Sequence, residues 1–340
     1  MIFDDNLWQE LTSELRSDTG IVRRRIQMPN GANVFIAMLS PSGLPALLVE
    51  TDCNNVPSTI NVNCQGFTLK SGQNQLSDLL TSTCLLLELA DSKFRDVFLV
   101  LVKDILNKMY AANSESQSVR TFLSQLSRWQ GFFNKHGQTG LTTQEQHGLW
   151  GELWALKNVL ATNIGLSTSI LAWEGPEGAN QDFAFDDLIC EVKTSVSPPH
   201  EKFQVSNVLQ LDSSSSTVFI VLFLAIETRQ STLCTLSQLV EEIRSVVAET
   251  NPQLLDIFNT KLIHYGYLKI HEEYYNKTGY LLRHSILYLV SDDFPRILEK
   301  DLPNGVGDVK YSISNAACTG FVIESEKIKE LIKPKGEADE

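Results

Sequence analysis

Two carboxylates and an ammonium fall close together between Asp182 and Thr194. Asp182 precedes Phe183-Ala184-Phe185-Asp186-Asp187, and Leu188-Ile189-Cys190 leads into Glu191-Val192-Lys193-Thr194. If Asp186-Asp187 is the two-residue turn of a hairpin, Phe185 opposes Leu188, Ala184 opposes Ile189, Phe183 opposes Cys190 and Asp182 opposes Glu191. Side chains alternate along a strand, so Lys193 joins the two carboxylates on one face while Phe183, Phe185, Leu188, Cys190 and Val192 share the other. Like charges directly opposed destabilise a strand pair, and a divalent cation removes that penalty. Mg2+ suits the position, with Mn2+ as an alternative, because hard cations of this size take a few carboxylate oxygens and leave room for water and phosphate. Asp182 and Glu191 are therefore the expected metal ligands. Lys193 is expected to lower the pKa of a nearby water or to stabilise charge on an attacked phosphate. Taken alone, a Glu-x-Lys pair reads as ordinary charges on a half-exposed strand, and Asp-Asp is not the preferred Asn-Gly or Asp-Gly turn.

The elements around this stretch must position it. Thr142 with Glu145 three residues on is a capping box, opening a helix that runs to about Leu160 with an apolar stripe of Leu149, Leu153, Leu156 and Leu160. Glu152 lies roughly 60° from the centre of that stripe, at about 100° per residue, which suits a carboxylate facing a site beside the core. It is an expected outer or additional metal ligand. Downstream, Ser195–His200 reads as a loop, Val205–Leu211 as a short helix and Val218–Ile226 as a buried central strand. Helices over Leu236–Glu249 and Pro252–Asn259 follow, then strands over Leu281–Val290 and Val309–Ile313. Upstream, a short helix over residues 6–16 leads into strands Ile21–Ile26, Asn33–Leu39, Pro45–Glu50, Ile60–Leu69 and Leu85–Leu89, and then a helix over Phe94–Tyr110. Arg23-Arg24-Arg25 cannot all point one way on a strand and reads as a solvated strand end. The polar run Ala111–Ser118 is the candidate domain boundary, and equally a loop between two helices. The expected division is a β-rich N-terminal domain over residues 1–112 and a second domain over 113–340. Helices and strands alternate in the second, so the class is α/β, or α+β for the chain as a whole.

Composition narrows the function classes. With 340 residues and a formal net charge of −13, the surface as a whole repels nucleic acid and acidic membranes, so a DNA contact must be local, metal-assisted or helped by a partner. The six cysteines have no CxxC pair and the six histidines form no ligand spacing, which points to free thiols in a reducing compartment. The acidic N-terminus does not read as a secretory signal, and the apolar run Val218–Ile226 is about half of a membrane helix, so a cytoplasmic protein is expected. Gly305-x-Gly307 is a turn, since no Gly-Lys-Ser/Thr follows it, and Trp173 reads as a packing residue.

The ordered set Gly151-Glu152-Leu153, Trp173-x-Gly175-Pro176, Asp182-Phe183 and Glu191-Val192-Lys193-Thr194-Ser195 resembles the signature of the PD-(D/E)XK nuclease superfamily. More narrowly it resembles the "PD-(D/E)XK motif protein" family of bacterial restriction and phage-defence loci. The resemblance covers about Thr142 to Leu211. It implies a restriction-endonuclease-like mixed sheet flanked by helices, with Asp182 and Glu191 as metal ligands, Lys193 as the catalytic lysine and Glu152 as the acidic residue of the first core helix. Ser206 and Gln210 match polar positions that in such folds face the site and position substrate. The proline that names the motif is absent before Asp182, where Gln181 stands. The expected activity is Mg2+-dependent hydrolysis of DNA phosphodiesters in restriction or phage defence, with other defence-system proteins as partners and a homodimer for cutting two strands. The alternative is a nuclease-fold scaffold or binding subunit inside a larger defence complex, which the acidic surface favours.

Overall fold

Alternating and continuous apolar runs among the described residues sort into three sheets, one in the unit Met1–Gly140 and two in the unit Leu141–Glu340. The computed structural model describes residues 6–15, 17–52, 61–73, 82–196, 202–212, 218–230 and 234–331. Of the loop expected over Ser195–His200, Ser195 belongs to a strand and residues 197–200 lie outside the described residues, as do the serines at 213–216 and the residues from 333 on.

The first unit opens with α1 (Asn6–Ser13) and builds a six-stranded antiparallel sheet. Its strands are β1 (Gly20–Ile26), β2 (Asn33–Ser40), β3 (Leu44–Asp52), β4 (Asn61–Asn63), β5 (Phe67–Gln73) and β6 (Ser82–Leu89), in the order β1-β2-β3-β6-β5-β4. The strand expected over Ile60–Leu69 is two strands, because the chain turns at Cys64–Gly66, where Cys64 N donates to Phe67 O at 3.0 Å. A Cβ on Gly66 would stand 2.1 Å from the Phe133 ring, so the turn packs only as glycine. The three arginines of β1 are each engaged: Arg23 with Glu50 at 2.7 Å, Arg24 with Glu14, and Arg25 with Asn33 at 2.6 Å.

Helices α2 (Arg95–Tyr110) and α3 (Glu115–His136) complete this unit. The division of the chain falls at Gly140, not at Ala112. Ser114 accepts from Gln117 N as the N-cap of α3, and Ser118 Oγ donates to Met109 O, so the polar run is a helix–helix loop whose composition reflects capping. Phe122, Trp129 and Phe133 of α3 are buried.

In the second unit α4 (Thr143–Ala155) starts at the expected capping box, Thr142 accepting from Glu145 N while Glu145 accepts from Thr142 N. It continues through a π-helical stretch, Leu156–Leu160, into α5 (Ala161–Asn163), and α6 (Leu166–Leu171) follows. The sheet comprises β7 (Phe183–Ala184), β8 (Leu188–Ser195), β10 (Val218–Gln230), β11 (Cys234–Thr235), β12 (Thr278–Leu289) and β14 (Val322–Ile323). Five of these run in the order β11-β12-β10-β8-β7, with β14 also paired to β12. β10 lies parallel to β8 and antiparallel to β12, which makes the sheet mixed. Its nearly continuous apolar run is buried on both faces, as a central strand requires.

One face of the sheet carries Cys190, Val192, Ile220, Leu222 and Leu224. It packs against Leu149 and Leu153 of α4, Leu239 and Ile243 of α7 (Leu236–Thr250), and Phe258 and Leu262 of α8 (Gln253–Tyr265). Two short helices, α9 (Glu272–Tyr275) and α10 (Lys327–Leu331), add Tyr275 and Ile328 to this core. Each fully buried leucine stabilises this layer by about 1.5–3 kcal/mol, an upper figure because the unfolded chain already hides some apolar surface. Gly151 lets α4 approach β8 closely, since a Cβ there would meet Thr194 Oγ1 at 2.0 Å.

The opposite face carries Phe219, Val221 and Phe223, covered by a two-stranded ribbon of β9 (Lys202–Val205) and β13 (Tyr311–Ser314). The short helix expected over Val205–Leu211 is therefore the end of β9 followed by a 3-10 turn, Val208–Leu211, capped by Asn207. No helix among the described residues is long and apolar enough to cross a membrane.

Candidate active site

β7 and β8 pair with the register that a two-residue Asp186-Asp187 turn dictates: Phe183 faces Cys190, Ala184 faces Ile189, and Phe185 N donates to Leu188 O at 2.8 Å. Phe183, Leu188, Cys190 and Val192 enter the helix-covered core, with Phe185 packed against it, while Ile189 packs on the other side. The alternation places Glu191 and Lys193 with Ile189.

Asp182 stands just outside the ladder and is fixed at both ends. Its carbonyl accepts from Glu174 N at 2.8 Å and Gly175 N at 3.1 Å, and its Oδ2 accepts from Val192 N at 2.7 Å. Glu191 is 1 % exposed; its Oε1 lies 2.7 Å from Lys193 Nζ, and its Oε2 is buried with no hydrogen-bond partner. Lys193 Nζ also donates to Gln210 Oε1 at 2.9 Å, and the same oxygen accepts from Ser206 N at 2.9 Å. Gln210 thus ties the lysine to the 3-10 turn, whereas Ser206 takes part through its backbone and its side chain is exposed. Gln181, standing where the superfamily motif has proline, donates through Nε2 to Leu209 O at 2.8 Å and anchors the same turn to the Asp182 strand.

Glu152 reaches this region from the last full turn of α4 and is 6 % exposed. Both its oxygens are engaged: Oε2 accepts from Trp173 Nε1 at 2.7 Å and Oε1 from Tyr265 OH at 3.0 Å. Gly175 runs between the two carboxyls, since a Cβ there would stand 2.7 Å from Glu152 Oε2 and 3.4 Å from Asp182 Oδ1. Asp182, Glu191, Lys193 and Gln210 thus form one connected cluster, with Glu152 beside it. His200 lies outside the described residues.

Tyr265 and Lys261 are the residues the sequence reading did not single out. Lys261 Nζ donates to Leu171 O at 3.0 Å and to Trp173 O, and lies 3.7 Å from Glu177. Both side chains sit one turn apart on α8, in the part of that helix beyond the expected end at Asn259. The usable signal was Gly266, which takes φ of 106° as the left-handed residue that closes the helix after Tyr265.

Burial dominates the electrostatics. It pushes the Asp182 carboxyl up to about 6, against the pull of Lys193 and of the Val192 N–H. Burial first and the Asp182 charge second push Glu191 up to about 8, against the Lys193 ammonium and a weak bond from the Asp182 backbone N–H. Glu152 is raised by burial and by Asp182, opposed by the bonds from Trp173 and Tyr265. Among the described residues, no group of three or more His, Cys, Asp or Glu side chains is gathered to hold a metal ion. The pair Asp182 and Glu191 nevertheless fits a hard divalent cation. Three raised carboxyls crowd one buried region, and Glu191 Oε2 is buried without a hydrogen bond of ordinary geometry.

A mixed sheet with a short antiparallel hairpin, carrying Asp182, Glu191 and Lys193, beside a helix that carries Glu152, is a nuclease-like fold. The chain belongs to the family described as "Putative PD-(D/E)XK family member (DUF4420)", which matches residues 5–315. PD-(D/E)XK proteins are generally nucleases that use divalent metals such as Mg2+. No curated protein and no solved structure matches the chain.

Proposed function

We propose that this protein is a Mg2+-dependent endodeoxyribonuclease of restriction or phage defence, hydrolysing DNA phosphodiesters at the Asp182–Glu191–Lys193 cluster. The observation that carries the reading is Glu191: one buried oxygen meets Lys193 at 2.7 Å, and the other is buried without a hydrogen bond of ordinary geometry, the Asp182 backbone N–H acting on this carboxyl only as a weak donor. Asp182 and Glu191 are the residues that would hold Mg2+, or Mn2+ in its place. When bound, the ion supplies Lewis-acid polarisation of a phosphate oxygen.

The chain's own groups perform the rest. Asp182 is oriented by the Val192 N–H, which leaves its second oxygen, Oδ1, toward Gly175. Lys193 has three N–H donors, of which one meets Glu191 and one Gln210, leaving a third for an attacking water or for the phosphate as negative charge grows. Burial of this pair excludes competing water and strengthens each of these interactions.

The acidic balance supports a second reading. A net charge of −13 and three β1 arginines each engaged within their own unit favour a scaffold subunit that meets DNA only beside a partner. Cleavage of plasmid DNA by the purified chain with Mg2+, beside Asp182→Asn, Glu191→Gln and Lys193→Ala, separates the two. Activity in the wild type lost in all three variants supports the nuclease. Equal activity in all four sinks it, and no activity in any favours the scaffold.

A further inference from the structure

Glu152 is the one acidic residue of this region whose oxygens are both already used. Trp173 Nε1 holds Oε2 at 2.7 Å and Tyr265 OH holds Oε1 at 3.0 Å. The Trp173 ring is stacked beside Tyr265, with centroids 6.3 Å apart and planes inclined by 27°, and tilted against Phe258 at 6.0 Å. Lys261, one turn before Tyr265, locks the same segment by donating to the carbonyls of Leu171 and Trp173. Trp173 in turn leads directly into Glu174 and Gly175, whose N–H groups hold the Asp182 carbonyl. Helix α8 therefore grips the carboxylate of α4 and the turn that delivers Asp182 as one unit.

We infer that Glu152 is the anchor of a clamp closed by Trp173 and Tyr265 and locked by Lys261, and that it acts as a positioning residue for Asp182 and not as a metal ligand. The site accordingly takes a single divalent ion, on Asp182 and Glu191. This rests on the metal-dependent reading above. It goes beyond that reading in assigning Tyr265, Trp173 and Lys261 a role and in fixing the number of ions.

The clamp and the ligand role respond differently to one isosteric change. An amide at position 152 still bonds to both partners, although the Tyr265 O–H proton then gives up its present acceptor. The amide oxygen accepts from Trp173 Nε1, which can only donate, and its NH2 donates to Tyr265 OH, which accepts as well as donates. A metal ligand, in contrast, loses its charge and half its oxygens. The experiment is calorimetric titration of Mn2+ into the metal-free full chain, with melting temperatures recorded for each variant.

The clamp predicts one ion per wild-type chain and a Glu152→Gln dissociation constant within about threefold of wild type. It also predicts a Glu152→Ala protein that melts below Glu152→Gln, because Trp173 Nε1 and Tyr265 OH lose their acceptor. A second wild-type ion that disappears in Glu152→Gln, or a loss of about tenfold or more in that variant, overturns the clamp and leaves the nuclease reading standing. A Glu152→Gln chain that fails to fold also overturns the clamp, since the amide keeps a hydrogen bond to each partner. A folded wild-type chain that takes up no Mn2+ overturns both.

Discussion

Replacing Glu191 by Gln should stabilise the metal-free protein at neutral pH while abolishing metal uptake. A carboxyl raised from 4.5 to about 8 on folding binds a proton as the chain folds. Its contribution is fully present below about 4.5 and is lost as the pH climbs from there through about 8. At pH 7 the interval above 4.5, at about 1.4 kcal/mol per pH unit, amounts to about 3 kcal/mol that the wild type forgoes and the amide does not. Glu191 is 1 % exposed, so solvent screening removes little of this. For a unit of this size about 3 kcal/mol raises the melting temperature by about 6–12 °C. Urea unfolding in EDTA at pH 4 and pH 7 measures it directly. The stability difference between Glu191→Gln and wild type should grow with pH across that range, and saturating Mg2+ should stabilise only the wild type, by about 2.7 kcal/mol at a hundredfold excess over the dissociation constant. A difference that does not change between pH 4 and pH 7 refutes the reasoning.

Three further outcomes follow from the packing around the site. Gly151→Ala should destabilise the second unit by about 1–3 kcal/mol, and Thr194→Ala in the same chain should recover most of it, because the new Cβ collides with Thr194 Oγ1 at 2.0 Å; a double-mutant cycle by urea unfolding checks this. Lys261→Met keeps the apolar stem but leaves the buried carbonyls of Leu171 and Trp173 without their donor, and should cost about 2 kcal/mol or more in the same assay. Gln210→Ala frees Lys193 on one side and should lower kcat about tenfold with little change in KM, since its bond is to the lysine and not to substrate; steady-state cleavage of a labelled duplex separates the two parameters.

The hairpin was legible because its register is local. Once the turn is placed at Asp186-Asp187, alternation alone assigns Phe183 and Cys190 to the core and Glu191 and Lys193 to the other face. The Thr142 cap was legible for the same reason, lying three residues from its partner Glu145. What escaped depends on distant chain. β9 is a strand only because β13, about a hundred residues later, pairs with it, so Val205–Leu211 looked like a short helix. Gly66 lies in the turn between β4 and β5, where Phe133 packs in the space a side chain would take. Tyr265 and Lys261 matter because α8 crosses over Trp173, which no spacing in the sequence records. The polar run Ala111–Ser118 left a domain boundary and a helix–helix loop both open for a chemical reason: serines that cap a helix have the composition of a linker.

The central claim is that Asp182 and Glu191 together hold a divalent ion. Anomalous diffraction from crystals of the full chain grown with Mn2+ tests it most directly. The account predicts one Mn2+ peak between the carboxylates of Asp182 and Glu191, on the Oε2 side of Glu191, absent from Glu191→Gln crystals. A peak on Glu152 in place of this pair, or none in the cluster, would contradict it.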